Sequence, residues 1–194
     1  MSTTPPKNFE VETYSGFFVD TSDPNADSIH LIDIAHALSQ TCRFGGHCQG
    51  FYSVAQHAVF VSKRVERRGH SLRAQMEALH HDDAEAYLGD IPRPMKPLLG
   101  DAYGALTKKM DAAIVQALDL PVPAYKHAIK DADNFALFVE ARYLLPSQGK
   151  GWWDIEGLPS RIVTPDYWLG SLVPKKARKL YLERHQELLE RATT

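Results

Sequence analysis

SVAQHAVFVSKRVERR, residues 53–68, reads as a capped amphipathic helix and sets the class of the fold. Ser53 supplies a short hydroxyl that can accept from a first-turn amide. Val54, His57, Val61 and Val65 recur at i, i+3 and i+4 spacing, so they share one face. His57 therefore points inward. A lone inward histidine is more often a hydrogen-bonded core residue than a ligand, so its meaning rests on what the flanking segments bring to it.

Upstream, residues 29–39 (IHLIDIAHALS) carry apolar residues at helical spacing, with Asp33 placed to open the helix. Arg43-Phe44-Gly45-Gly46-His47 then breaks it, because two consecutive glycines exclude a stable helix interior and let backbone or ligand approach closely. Residues 1–28 form an arm rich in Pro, Thr, Ser and Asp, and the alternation in FEVETYSGFFVD (9–20) predicts a short strand or hairpin. Downstream, a helix expected over 72–87 puts Met76, Leu79 and Asp83 along one line and Glu77, His81 and Glu85 along another. The run from Gly89 to Pro94 stops it in a turn and extended loop, since the prolines at 92, 94 and 97 cannot sit in a regular helix.

Two further helices are expected over 101–118, with Tyr103, Leu106, Met110, Ile114, Ala117 and Leu118 as its stripe, and over 124–145. In the second, Ile129, Ala132, Ala136 and Val139 face inward beside Asp133. Residues 146–173 read as irregular around Trp152-Trp153, a pair suited to the core or an oligomer interface, with closing the pocket as its alternative. A last helix over 174–191 carries Ala177, Leu180, Tyr181 and Leu188. The sum is an all-α single domain, a helical bundle of roughly six or seven helices.

With 194 residues the chain can bury one substantial core without disulfides. Lys and Arg number 22 against 24 Asp and Glu, a net charge of −2, so nothing global advertises nucleic acid or an anionic membrane as a partner. The basic start of VPKKARKLYLERH reads as a solvated face. No apolar run is long enough to span a bilayer and no secretory signal is visible, which makes a cytoplasmic setting the expectation. Cys42 and Cys48 are too few for a disulfide framework and wrongly spaced for a zinc or redox pair.

Charge becomes informative in the pentad His81-Asp82-Asp83-Ala84-Glu85. Imidazole and carboxylate side by side, with His57 upstream and Asp133 downstream, make a mixed nitrogen and oxygen set suited to a divalent transition metal that activates water. Glu85 lies four residues after His81 and three after Asp82, on the same side of a helix one turn on. A solvated acidic helix end with no ion is the competing reading. Burying Asp133 among Ile129, Ala136 and Leu137 without a partner would cost several kcal/mol, which a cation offsets. Asp131 lies about 200° around the helix from Asp133, so only one of the two faces the site. His80 shares its face with Met76 and Ala84 and reads as structural.

These residues resemble the HD-domain metal-dependent phosphohydrolases. AQHAVFVS (55–62), ALHHDDAEAYLGDIPRPMK (78–96) and KDADNFALFVEA (130–141) are similar to the three signature segments in order, and with CRFGG they cover about residues 29–145. The remainder is then the arm 1–28 and a C-terminal loop and helix, 146–194. Within the family the chain resembles small deoxynucleotide phosphohydrolases, both bacterial 5′-deoxynucleotidases and phage-type dATP triphosphohydrolases; DIAHALSQTCRFGGH and FYSVAQH lean toward the latter.

The resemblance implies that His57, His81, Asp82 and Asp133 hold one divalent transition ion (Zn, Co, Mn or similar), with room for a second, Mg-type ion on substrate phosphates. It implies that Glu85 positions or deprotonates the attacking water, that Arg43 grips phosphate, that Asp90 stands near the scissile phosphate and that Lys96 reaches a phosphate oxygen. For Arg43, Asp90 and Lys96 a surface salt bridge is the alternative. Phe44 is a candidate for stacking on sugar or base, with core packing as its alternative. Gly45 and Gly46 stand where side chains contacting the base would be sought, so no bulky filter is visible there.

The activity implied is cleavage of dATP to deoxyadenosine and triphosphate, or stepwise removal of phosphates. A 5′-deoxynucleotidase acting on dNMPs is the close alternative, and a non-catalytic nucleotide-binding HD module the alternative of another class. The expected partner is a small-molecule deoxynucleotide rather than a nucleic acid or membrane. The resemblance also implies a homo-oligomer, in a bacterial cytoplasm or a host's if phage-encoded.

Overall fold

The computed structural model describes residues 9–150 and 170–193. The Trp152-Trp153 pair and residues 151–169 of its loop lie outside them. Seven α-helices and one two-stranded sheet are present among the described residues: β1 Glu10–Glu12, β2 Phe18–Asp20, α1 Leu31–Gln40, α2 Val54–Arg67, α3 Leu72–Leu79, α4 Glu85–Leu88, α5 Lys96–Ala117, α6 Lys126–Leu144 and α7 Pro174–Ala192. The architecture is all-α. No helix among the described residues is long and apolar enough to cross a membrane.

Helix α2 is the axis of the bundle, packed against α1, α3, α6 and α7. Ser53 caps it, its hydroxyl accepting from the Gln56 amide while the Gln56 side chain accepts from the Ser53 amide, a reciprocal capping box. Burial goes beyond the single face that the spacing predicts, for every residue from 54 to 62 is buried. Four neighbours leave the first turns no solvent side. One side of α2 joins Ile34, Leu38, Met76, Met110 and Tyr181. The other, through Phe60 and Val61, joins Ala132, Ala136 and Val139.

The antiparallel hairpin β1–β2 pairs Val11 with Val19 and lies over α1. Asp33 is what ties it down. It does not cap α1, whose cap position is His30; instead its buried carboxylate accepts from the Ser15 amide at 2.8 Å and hydroxyl at 2.7 Å.

The helix expected over 72–87 is interrupted. α3 ends at Leu79, residues 81–84 form turns, and α4 starts at Glu85. The cause is tertiary. His80 and Asp83 bond each other at 2.6 Å, and both are tied to α7, where Tyr181 donates to Asp83 and His185 Nδ1 lies 2.9 Å from His80 Nε2. Glu77, expected beside His81 and Glu85, instead accepts from the Ala124 and Tyr125 amides at 2.8 and 3.0 Å, satisfying free N–H groups at the start of α6. Gly89, at φ 79°, ends α4, and Gly100, at φ 65°, kinks α5 so that its regular part begins at Asp101, where the stripe of Met110 and Ile114 places it.

Candidate metal centre

A cavity of about 1410 Å³ opens between α3, α4, α5 and α6. Arg43, Phe44, His81, Asp82, Glu85, Asp90, Lys96 and Asp133 line it. His57 stands behind the wall with no exposed surface. Four segments far apart in sequence thus meet, and each is seated by a local device. The chain around Cys42 bridges antiparallel to Ser53, with the Arg43 amide donating to the Tyr52 carbonyl at 2.9 Å, which fixes Arg43 beside the start of α2.

Among the described residues, one group of His, Cys, Asp and Glu is compact enough to hold a metal ion. His57, His81 and Asp82 offer one ligand atom each within 4.8 Å of one another. His57 Nδ1 lies 2.7 Å from Glu140 Oε1, and His81 Nδ1 lies 2.8 Å from the Ala78 carbonyl. Both partners accept only, so both rings carry hydrogen on Nδ1. The Ala78 bond also satisfies a carbonyl left open where α3 ends.

Both Nε2 atoms therefore face the centre, buried and without a hydrogen bond. His57 Nε2 is 3.5 Å from Asp82 Oδ2 and 3.4 Å from Asp133 Oδ1, while His81 Nε2 is 3.1 Å from Asp82 Oδ2. Nitrogen lone pairs converging with carboxylate oxygens repel unless positive charge lies among them. A divalent ion of the borderline class fits this set, with Glu140 and the Ala78 carbonyl orienting the ligand rings as a supporting layer.

Protonation shows the same demand for positive charge. Burial and the Arg43 charge oppose protonation of His57, but Glu140 and Asp133 outweigh them and hold its pKa up to about 9. Burial would raise Asp82 and Asp133, yet His81 and His57 hold both well below the usual carboxylate range. Asp133 falls outside the compact trio. Its Oδ2 is taken by Lys130 at 2.8 Å and Arg93 at 3.4 Å, leaving Oδ1 toward His57. Asp131 is exposed, so it is Asp133 that faces the cavity.

Glu140 is the residue that sequence reasoning missed. Fully buried, it accepts from Arg43 Nε at 3.2 Å with one oxygen while holding His57 with the other. NH1 of the same guanidinium stands 3.9 Å from Asp82, a looser ion pair. A signal existed: Glu140 lies seven residues after Asp133, two turns on along the same face of α6.

Glu85 Oε2 is buried without a partner, and Lys96 approaches Oε1 at 3.5 Å. Burial, then Asp82 and Asp90, push Glu85 toward its neutral form, and burial does the same to Asp90 against the pull of Arg43. Phe44 has φ 56°, and its ring lies 5.6 Å from the Arg43 guanidinium. Gly45 and Gly46 continue the left-handed path at φ 60° and 84°, conformations that glycine adopts at no steric cost. A Cβ on Gly45 would meet Pro92 at 3.6 Å, ordinary contact, so these glycines serve the bend rather than clear space for a ligand.

No family model matches the chain. It is 39% identical over 180 residues to the uncharacterized protein YfdR of Escherichia coli, covering 93% of this chain and 96% of that protein. An uncharacterized protein of Rhodobacter capsulatus is 32% identical over 182 residues, 90% of this chain and 93% of the relative. A shorter match, 28% identical over 108 residues, covers 46% of this chain and 55% of a 5′-deoxynucleotidase of Pasteurella multocida. By the extent of the first two matches, the chain belongs to the family of Escherichia coli YfdR.

Proposed function

We propose that this protein is a divalent-metal-dependent phosphohydrolase of deoxynucleotides, built on an HD-type site. The observation that carries the reading is the pair of buried Nε2 atoms of His57 and His81, neither in a hydrogen bond, converging on Asp82. The partial similarity to a 5′-deoxynucleotidase supports the substrate class. Of the two reactions, phosphate release from dNMPs is the one that relative's name favours. Cleavage of dATP to triphosphate finds no side chain at Gly45 or Gly46 that would read adenine.

His57, His81 and Asp82 would hold the ion, with Asp133 as fourth ligand. Such an ion supplies Lewis-acid polarisation of a phosphoryl oxygen and acidification of a water. Arg43, its Nε already fixed by Glu140, offers its outer nitrogens to the phosphate in a set orientation. Lys96 adds charge opposite the phosphoryl oxygens as negative charge builds. As the water oxygen bonds to phosphorus, the bond to the 5′ oxygen breaks and that oxygen takes a proton. Glu85 and Asp90, half-buried or buried on the cavity wall, are the groups placed to exchange it.

The test is turnover. Purified protein with Co²⁺, Mn²⁺ or Zn²⁺ is incubated with panels of dNMPs and dNTPs, and phosphate, pyrophosphate and triphosphate are resolved. Phosphate from dNMPs is the expected product. Triphosphate from dATP would move the reading to the other reaction, and no turnover of any nucleotide would overturn it. Nucleotide binding that survives His81→Ala and Asp82→Ala, without turnover, would instead indicate a binding module.

A further inference from the structure

Asp111 lies on α5 one residue after the fully buried Met110 and one turn before Ile114. It lines the cavity, as do Ile114 and Val115 three and four residues on along α5, with Met76 and Leu120 among the other apolar lining residues. Its carboxyl group takes part in no hydrogen bond or ion pair of the described residues. Burial raises its pKa to about 6, helped by the charges of Asp83 and Asp82 and opposed by His81, and no lysine or arginine acts on it. Near neutral pH it is an acceptor among apolar walls, a placement that costs stability unless hydrogen-bond donors arrive.

We propose that Asp111 reads the nucleobase, accepting from the exocyclic amino group and ring N–H of the base. This rests on the deoxynucleotide reading above. Of the parts of a deoxynucleotide, the phosphate belongs with Arg43 and Lys96, and a carboxylate would repel it. The apolar walls beside Asp111 suit a flat heterocycle better than a sugar. Guanine presents two adjacent donors, N1–H and N2–H, that match the two carboxylate oxygens. Adenine and cytosine present one amino group each. Thymine's N3–H is flanked by two carbonyl oxygens, which the carboxylate repels. The expected order is dGMP first, dAMP and dCMP between, and dTMP last.

The test uses the metal-loaded protein and its Asp111→Asn variant, which keeps the shape but replaces one acceptor oxygen with a donor. Two quantities are measured for all four dNMPs: the dissociation constant by calorimetry and kcat/KM by phosphate release. The wild type is expected to prefer dGMP over dTMP by about tenfold or more, and the variant to narrow that ratio to within about threefold. A structural role would lower all four alike and leave the ratio unchanged, which overturns the proposal. Equal binding of all four by the wild type does the same. If no dNMP is hydrolysed but the binding ratio and its loss in the variant persist, the hydrolase reading falls and the role of Asp111 stands. Turnover without any base preference gives the reverse.

Discussion

Glu140 does two things with one carboxylate. It fixes the ring orientation of His57 through Nδ1 and the guanidinium of Arg43 through Nε, so the candidate ion ligand and the proposed phosphate grip share one support. Glu140→Gln can still accept one of these bonds but not both. The expected result is a 10- to 100-fold loss of Co²⁺ affinity, the usual range for losing a group that orients a ligand, read by titration of the cobalt absorption bands. Glu140→Ala takes from the buried Arg43 its nearest anion, leaving Asp82 at 3.9 Å, and is expected to cost about 3 kcal/mol in chemical denaturation. Asp111 has the opposite sign. Its pKa is raised on folding, so the folded state binds the extra proton, and its cost appears as pH rises from the ordinary carboxyl range through about 6. Asp111→Asn should therefore stabilise the protein at pH 7 by roughly 1 kcal/mol, allowing for its partial exposure, and make no difference near pH 3. Equal stability of the two proteins at pH 7 would show that the carboxylate is compensated.

At the scale of elements, the candidate metal site depends on how α2 begins and where α3 stops. Ser53 lies four residues before His57 and closes the capping box, so Ser53→Ala is expected to lower stability by about 1 kcal/mol in a denaturant melt. The break between α3 and α4 is held from behind by α7. Tyr181, fully buried, donates to Asp83, the neighbour of Asp82, and its ring meets His80 edge-on with centroids 5.7 Å apart. Tyr181→Phe keeps the packing and removes the donor, leaving a buried carboxylate short of one partner. A loss of about 1–3 kcal/mol is expected, with weaker Co²⁺ binding because the turn bearing Asp82 is no longer clamped. Unchanged metal affinity at reduced stability would separate α7 from the site.

For the whole molecule, the ion should act as a ligand of the folded state. At 100 times its dissociation constant a divalent ion adds about 2.7 kcal/mol of stability, so the melting temperature should rise with added Co²⁺ or Mn²⁺ and fall again with a chelator. Acid should weaken the fold through the network joining α2 to α7. Burial would raise Glu187, but hydrogen bonds from Arg184 and Lys63 outweigh it and bring its pKa to about 2. A carboxyl depressed on folding contributes stability above its ordinary pKa and loses it as pH falls, here between about 4.5 and 2. Glu187→Gln should flatten the melting temperature across that interval.

The all-α class, the hairpin and the near bounds of α2, α6 and α7 were readable from the chain because caps and periodicity are local: Ser53 with Gln56, and the stripe of Ala177, Tyr181 and Leu188. The donor set of His57, His81, Asp82 and Asp133 was legible as a candidate, with a solvated acidic helix end as its competitor, and Arg43 was added to it only by the family resemblance; the structure brings Arg43, His81, Asp82 and Asp133 to one cavity, with His57 behind its wall. Other features were not legible. The helix expected through residues 80–84 breaks because Tyr181 and His185, about a hundred positions later, bind Asp83 and His80 more strongly than a local ladder holds the chain. Glu140 sits in an apolar run and looks like a solvated charge until α6 packs on α2 and sets it against His57 and Arg43. Sequence by itself determined the all-α class and offered the candidate side chains for an ion, since caps, periodicity and residue chemistry are carried by the chain locally. Only the tertiary structure decided where the turn bearing His81 and Asp82 interrupts its helix and which buried carboxylate supports the candidate site, since charges pair by distance in space.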